Sequence, residues 1–224
     1  MDTKVKGIIL KLTDYKEADK LASIFSLEQG IITANFRGVK KEKSKLKSSC
    51  MPFTFAEFNI NKTGATRTVT SVNVLDGFYG LTMDYNKTIF GYIVLDIIKT
   101  ILPPEKQEPD LFVITLNALK QIETEQPCEA LVSFIIKFID FSGMTLNFDH
   151  TNIVYLDRTT GEFVSSANFA TMQIDKKVYS FLKSVALNQQ GETYSDTIKK
   201  QALRLLNLIL KCKFNAKIKA FEFV

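Results

Sequence analysis

The 224-residue chain has no tryptophan, a single histidine, three cysteines and five prolines. Cys50, Cys128 and Cys212 lie far apart and form no CxxC pair. Disulfide frameworks and thiolate zinc sites are therefore not expected, and a reducing cytosol is the natural compartment. His150 stands beside Asp149 in NFDHTN, with no HExxH or matching carboxylate set around it, so it reads as a surface-turn residue. Gly7, Gly30 and Gly38 are isolated and no GxxxxGK[ST] occurs, which leaves ATP hydrolysis without support. Neither a GxSxG elbow nor a Cys/His pair recommends a nucleophile. A nuclease would need carboxylates grouped for metal ions, and no such grouping is recognisable. No catalytic residue, cofactor or metal is expected. The opening MDTKVKGIILKL lacks a long apolar core of the signal-peptide kind. The apolar segment 203–210 is too short to span a bilayer and is basic on both sides.

What is present is a 46% hydrophobic share, enough for a real core, and a concentrated positive charge. Within FRGVKKEKSKLKSSCMPFTF, residues 36–55, six basic residues (Arg37, Lys40, Lys41, Lys43, Lys45 and Lys47) face one acid, Glu42. Six minus one is the whole formal net charge of +5, so the rest of the chain sums to neutral. An apolar run leads into Arg37-Gly38 and a new alternation opens at Pro52-Phe53. The charge therefore sits on a connection between strands and not on a long helix.

Hydrophobic periodicity divides the chain. Residues 5–12 alternate, with Ile8, Leu10 and Leu12 on one face and Ile9 and Lys11 on the other. After the polar 14–17 stretch, 20–27 is apolar, Gln29-Gly30 marks a turn, and 31–36 is a third strand. Phe53 and Phe55 share one phase and Phe58 and Ile60 the other, which predicts a β-bulge near Ala56-Glu57. Gly64 turns the chain into 67–75. Five short strands fit a small closed barrel of the oligonucleotide-binding (OB) type, although periodicity does not give their order. From Phe78 the period becomes helical: 78–102, stopped by Pro103-Pro104; 109–122, with Asp110 suited to the helix dipole; and 127–141, apolar enough to be the central buried helix. Residues 153–156 and 162–164 read as a hairpin around Asp157 and Gly161. Helices follow over 175–187 and 195–213, with Ser195 as N-cap. The fold class expected is α+β: a nucleic-acid-binding barrel over 1–76, then a helical domain over 77–224 with a hairpin insertion at about 146–166.

Charge runs are usually solvated surface, yet a lysine stripe on a barrel is also a phosphate-reading surface. Lysines act on phosphate as point charges, giving affinity without sequence preference that falls steeply with salt. Of the nearby aromatics Tyr15, Phe36, Phe53, Phe55 and Phe58, most belong in a core and at most one or two are free to stack bases. Lysines near Cys50 would lower its pKa, although an incidental role is the more ordinary one. A second basic cluster, Lys199, Lys200, Arg204, Lys211, Lys213, Lys217 and Lys219, either extends a DNA path or, for Lys211 and Lys213, simply suits a helix C-terminus.

Taken together, the opening from Gly7 to Ile31, the Arg37-Gly38 basic loop with Ser44 and Leu46-Lys47, Pro52-Phe53, Pro109-Asp110-Leu111-Phe112, the helix ending at Gly143 and the terminal KIKAFEF resemble the RecO family of bacterial recombination and repair proteins. The likeness covers nearly the whole chain. It implies an OB barrel followed by a helical domain in a non-enzymatic, cytoplasmic and nucleoid-associated mediator. Such a mediator binds single- and double-stranded DNA, anneals complementary strands and, with RecR, helps RecA displace the single-strand-binding protein SSB. DNA contacts carried over fall on Arg37, Lys40, Lys41, Lys43, Lys45 and Lys47, with Lys200, Arg204, Lys217 and Lys219 as the extension. Many relatives hold zinc with four cysteines where this chain has 146–166; no cysteine lies there, so no zinc is expected. Nor does 130–134 carry a Lys or Arg for the acidic tail of SSB. The alternative function is a protein-interaction adaptor with an incidental basic loop.

Overall fold

A computed structural model describes residues 2–124, 126–150, 153–189 and 192–224. Thr151 and Asn152, part of the expected 146–166 insertion, lie outside the described residues. Strands β1 (Asp2–Tyr15), β2 (Asp19–Ser26), β3 (Gly30–Phe36), β4 (Phe55–Thr63) and β5 (Thr66–Asp76) close into a barrel in the order β1-β2-β3-β5-β4. All neighbours are antiparallel except β3 and β5, which meet in parallel through one register pair, Asn35 with Thr68. This is the OB-like architecture expected.

The barrel is apolar on two faces. Val5, Ile9, Ile24, Ile32, Phe36 and Phe58 fill its interior, while Ile8, Leu10, Phe25, Ile31 and Phe53 belong to the core shared with the helices. Burial on both faces turns a clean alternation into a continuous apolar run. That corrects two readings. Leu12 does not share a face with Ile8 and Leu10: an extra residue, Leu10, opposes the β2 ladder between Ile9 and Lys11, so Leu12 returns to the interior beside Ile9. The bulge expected near Ala56-Glu57 is not on β4. There Ala56, Phe58 and Ile60 point inward at regular intervals, and the extra residues, Thr70 and Leu75, lie on β5. The change of phase at Phe55 arises because Phe53 and Phe55 serve the helical core, with Phe55 against the Phe112 ring at 6.0 Å.

Beyond Asp76 come α1 (Tyr79–Thr82), α2 (Tyr85–Ile101), α3 (Pro109–Ile122), α4 (Pro127–Phe141), α5 (Lys176–Ala186) and α6 (Asp196–Phe214), then a 3₁₀ turn over Lys219–Phe223. The single helix expected over 78–102 is two. Extended backbone at Asp84 breaks it, and the Asp84 side chain accepts from the Lys87 N–H to start α2. Helix α4 is central, as its composition predicts, packing against α2, α3, α5 and α6. The hairpin of β6 (Tyr155–Asp157) and β7 (Glu162–Val164) gains a strand that periodicity missed, β8 (Thr171–Gln173), in the order β7-β6-β8. This small sheet is seated by rings: Phe148, Phe163 and Tyr179 lie 5.3–5.8 Å apart. Unlike β6 and β7, which bury Leu156 and Phe163, β8 has no buried residue, so it carries no apolar signal.

The barrel and helices are fastened together at the β2–β3 turn. The segment after α2 runs beside Ile31, where Pro104 bridges it and Glu105 N–H donates to the Ile31 carbonyl at 3.1 Å. Arg67 on β5 pairs with Glu105 at 2.8 Å, and the Gln107 side chain donates to the Glu28 carbonyl. Gly30 sits in this fastening at φ +67°, and a Cβ there would lie 2.1 Å from the Lys106 carbonyl oxygen. Gly64, at φ +59° in the β4–β5 turn, has open space around it. Both positions carry the same left-handed backbone cost, but only Gly30 adds a backbone collision. Urea denaturation should therefore show Gly64→Ala losing about 1 kcal/mol and Gly30→Ala losing about 3 kcal/mol or more. Equal losses would mean that the Gly30–Lys106 approach does not hold the two parts together.

Candidate nucleic-acid interface

The basic connection between β3 and β4 is a ribbon of successive turns. Backbone N–H groups of Lys41, Ser44, Lys47 and Cys50 donate to the carbonyls of Gly38, Lys41, Ser44 and Lys47 respectively, at 3.1–3.4 Å. The sequence disfavours a regular helix here. Lys41 and Lys45, and Lys43 and Lys47, would stand four residues apart as like charges, each pair costing about 0.2–0.5 kcal/mol. Ser48 and Ser49 compete for local backbone bonds, and the Ser49 hydroxyl donates to the Leu46 carbonyl at 3.1 Å. Val39 and Cys50 are buried in the barrel interior and Leu46 packs against it, pinning the ribbon at three points. Its far end is fixed by Phe53, held at φ +70° with its ring 4.8 Å from that of Tyr92 on α2.

With its apolar residues turned inward, the ribbon presents its cations outward. Among the described residues, Lys41, Lys43, Lys45 and Lys47 are exposed and enter no ion pair. Lys40 differs: it is half-buried and pairs with Asp14 at 3.0 Å, and its donated hydrogen bond holds the Asp14 carboxyl below the usual carboxylate range. Arg37 is exposed, and its charge helps lower the nearby Asp19 carboxyl. The larger causes there are hydrogen bonds, from Gly38 N–H at 2.7 Å and from the Asn35 amide at 3.1 Å. Lys40 N–H also donates to the Ala18 carbonyl at 3.0 Å. The β1–β2 turn thus clasps the start of the ribbon.

Where β3 and β5 part beyond Asn35 and Thr68, a cleft of about 760 Å³ opens. It is lined by Lys16, Ala18 and Asp19 from the β1–β2 turn, by Asn35, Arg37, Gly38 and Lys41, and by Thr63, Thr66 and Thr68 from β4 and β5. The structure thus brings Arg37 and Lys41 together with Lys16, Asn35 and the threonines, which sequence reasoning did not connect. The available signal was topological, since OB folds bind along strands 2 and 3 between the β1–β2 and β4–β5 loops, and the strand order was not readable.

Among the aromatics, Phe36, Phe53 and Phe58 are buried and Phe55 packs on the helical core, leaving Tyr15 partly exposed with the Lys16 ammonium 5.3 Å from its ring centre. Cys50 is not activated by its basic neighbours: burial pushes its pKa up to about 11, against a small opposing effect of Lys20. His150 uses both ring nitrogens locally. Nε2 donates to the Phe163 carbonyl at 3.0 Å, so Nδ1 is the acceptor facing the Ser165 hydroxyl at 2.8 Å.

The C-terminal cations are mostly engaged with the protein itself. Lys199 pairs with Glu129 at 2.6 Å, Lys217 with Glu222 at 2.8 Å and Lys213 with Glu162 at 4.0 Å, while Arg204 donates to the Val224 carbonyl at 3.4 Å. Lys200, Lys211 and Lys219 are exposed. The structure does not join them to the ribbon in one lining surface.

The family profile "Recombination protein O N terminal" matches residues 1–78, and "Recombination protein O C terminal" matches 83–221. The DNA repair protein RecO of Clostridium perfringens is 25% identical, with 97% of this chain and 95% of that protein aligned. That of Clostridium novyi is 24% identical over 98% and 92%. The Bacillus subtilis protein of the same name is 28% identical over 73% of this chain and 64% of its own. A closed barrel with a basic ribbon, followed by helices around a buried α4, is matched along both halves by one family, and the chain belongs to the recombination protein O (RecO) family.

Proposed function

We propose that this chain is a DNA-binding recombination mediator that anneals complementary strands and, with RecR, helps load RecA onto SSB-covered single strands. Its role is one of binding and juxtaposition, with no bond made or broken by the protein. The observation that carries the reading is the ribbon: four exposed lysines, 41, 43, 45 and 47, uncommitted to any acid and held on a pinned backbone beside the polar cleft. Lys16 and Arg37 extend that surface towards the β1–β2 turn.

The mechanism is electrostatic. Two complementary strands repel through their phosphates, and a row of cations bound to one or both lowers that repulsion while bases search for partners. Lysine ammonium groups on mobile stems tolerate changing phosphate positions, which suits a strand that must slide into register. Lys40 plays a different part, since its pairing with Asp14 fixes the ribbon to the β1–β2 turn. Lys200 and Lys219 contribute less, because their neighbours Lys199, Arg204 and Lys217 are engaged within the C-terminal region.

Changing Lys41, Lys43, Lys45 and Lys47 together to Gln should leave the melting transition intact and weaken single-strand binding by about 100-fold or more at low salt. The slope of log affinity against log salt should fall by about 3, near 0.7 for each lost phosphate contact. Unchanged affinity and slope would contradict the assignment and favour an adaptor whose ribbon only aids solubility. In a separate assay, the same variant should anneal complementary oligonucleotides no faster than they anneal unaided, while Lys200→Gln with Lys219→Gln should retain most of the wild-type rate. Loss of annealing only in the C-terminal variant would move the interface off the barrel.

A further inference from the structure

The far end of the ribbon accepts two local costs at a single contact. Phe53 keeps a left-handed backbone, φ +70°, which an aromatic residue rarely adopts and which its surroundings must maintain. Opposite it, Gly91 is buried in the middle of α2, where alanine would make the stronger helix. Glycine is needed there for space: a Cβ on Gly91 would stand 2.8 Å from the Phe53 ring and 3.3 Å from Leu81. The Phe53 ring therefore fills a slot in α2, with the partly exposed Tyr92 ring 4.8 Å away.

Main-chain bonds connect this seat to the lysines. Phe53 N–H donates to the Ile9 carbonyl at 3.1 Å, and Thr54 N–H to the Met51 carbonyl at 3.3 Å. Further back, Cys50 N–H donates to the Lys47 carbonyl and Lys47 N–H to the Ser44 carbonyl, so each turn rests on the next. The near half of the ribbon has separate supports, Gly38 on Asp19 and Lys40 on Asp14. Val39, Leu46 and Cys50 pack into the barrel interior, whereas Phe53 enters the core shared with the helices. We propose that Phe53 is a positioning residue for nucleic-acid binding: its ring, seated over Gly91, lets α2 hold Lys45 and Lys47 ready for phosphate. A loop kept in its bound shape loses less freedom on binding; with the ring expelled, the nucleic acid itself would have to order the turns around Lys47. This rests on the DNA-binding reading above and adds to it a route by which the helical part sets the grip of the barrel.

Gly91→Ala expels the ring without altering any charged group. In anisotropy titrations of the full chain at low salt, it should bind a mixed-sequence single strand about tenfold more weakly than wild type. Lys45→Gln with Lys47→Gln should also weaken binding. Adding Gly91→Ala to that pair should cost no more than about a further twofold, because the lysines it positions are already gone. Added instead to Lys41→Gln with Lys43→Gln, Gly91→Ala should keep its effect of about tenfold. A merely structural role would subtract the same amount in every background. Tyr92→Ala, at a partly exposed helical position where alanine is favourable, loosens the same seat. It should repeat the pattern at about threefold, so the outcome does not depend on how Gly91→Ala folds. Unchanged affinity in both seat variants, or an equal loss in all backgrounds, overturns the proposal. If the wild type binds no single strand, or the Lys45 and Lys47 changes leave binding intact, the DNA-binding reading of the ribbon fails and takes this assignment with it. If those changes weaken binding and the seat variants do not, only the Phe53 assignment falls.

Discussion

The Asp19 carboxylate is the contact on which the arrangement of the candidate interface depends. Standing at the start of β2, it accepts from the Asn35 amide near the end of β3 and from the Gly38 N–H at the head of the ribbon. Those two bonds fix the direction in which the chain leaves the barrel. They also fix the orientation of Asn35 and keep Arg37 beside the seam. Nearby, the Lys40 backbone and side chain engage Ala18 and Asp14, so the first turn of the ribbon is docked on the β1–β2 turn. A loop so rich in lysine would otherwise be driven off the surface by its own charge, and three apolar anchors, Val39, Leu46 and Cys50, complete the attachment. Burying a side chain of that size contributes about 1.5–3 kcal/mol.

The two apolar faces of the barrel decide which side is left for a ligand. Ile8, Leu10, Phe25 and Ile31 turn towards the helices, where Phe112 on α3 meets Phe25 at 5.3 Å. Segment 104–107 then covers the β2–β3 turn through Ile31, Arg67 and Glu28. One flank is closed by this packing, and the seam between β3 and β5, joined by a single ladder pair, opens elsewhere. The helical part thus bears on the candidate interface only indirectly, by occupying the other face and holding Phe53 against Tyr92.

Much of this was legible in the residues, for reasons that can be named. The switch from a period of two to one of 3.6 lies where β5 ends at Asp76 and α1 begins at Tyr79. Prolines mark the starts of α3 and α4, and the aliphatic and aromatic residues of α4 announced a central helix. The ribbon was visible as charge. What stayed hidden depends on residues distant in sequence. Phe53 and Phe55 looked like a bulge because their outward partners, Tyr92 and Phe112, are about forty and sixty residues away. Tertiary pairing also decided that Lys40 would be spent on Asp14 while Lys41 stays free, since nothing in the string KKEKSK separates the two. Lys16, Asn35 and Thr68 come from three different elements, and only the strand order brings them to one cleft. The Phe148–Phe163–Tyr179 ring cluster that seats the small sheet joins three separate segments, so no single stretch of sequence announced it.

The central claim is that the uncommitted lysines of the ribbon meet the phosphate chain. Lysine acetylation footprinting of the full chain, read by mass spectrometry with and without a single-stranded oligonucleotide, tests it most directly. The account predicts strong protection of Lys41, Lys43, Lys45 and Lys47, partial protection of Lys16, and reactivity at Lys200 and Lys211 that does not change. Protection confined to the C-terminal lysines, with the ribbon as reactive in the complex as in the free protein, would contradict it.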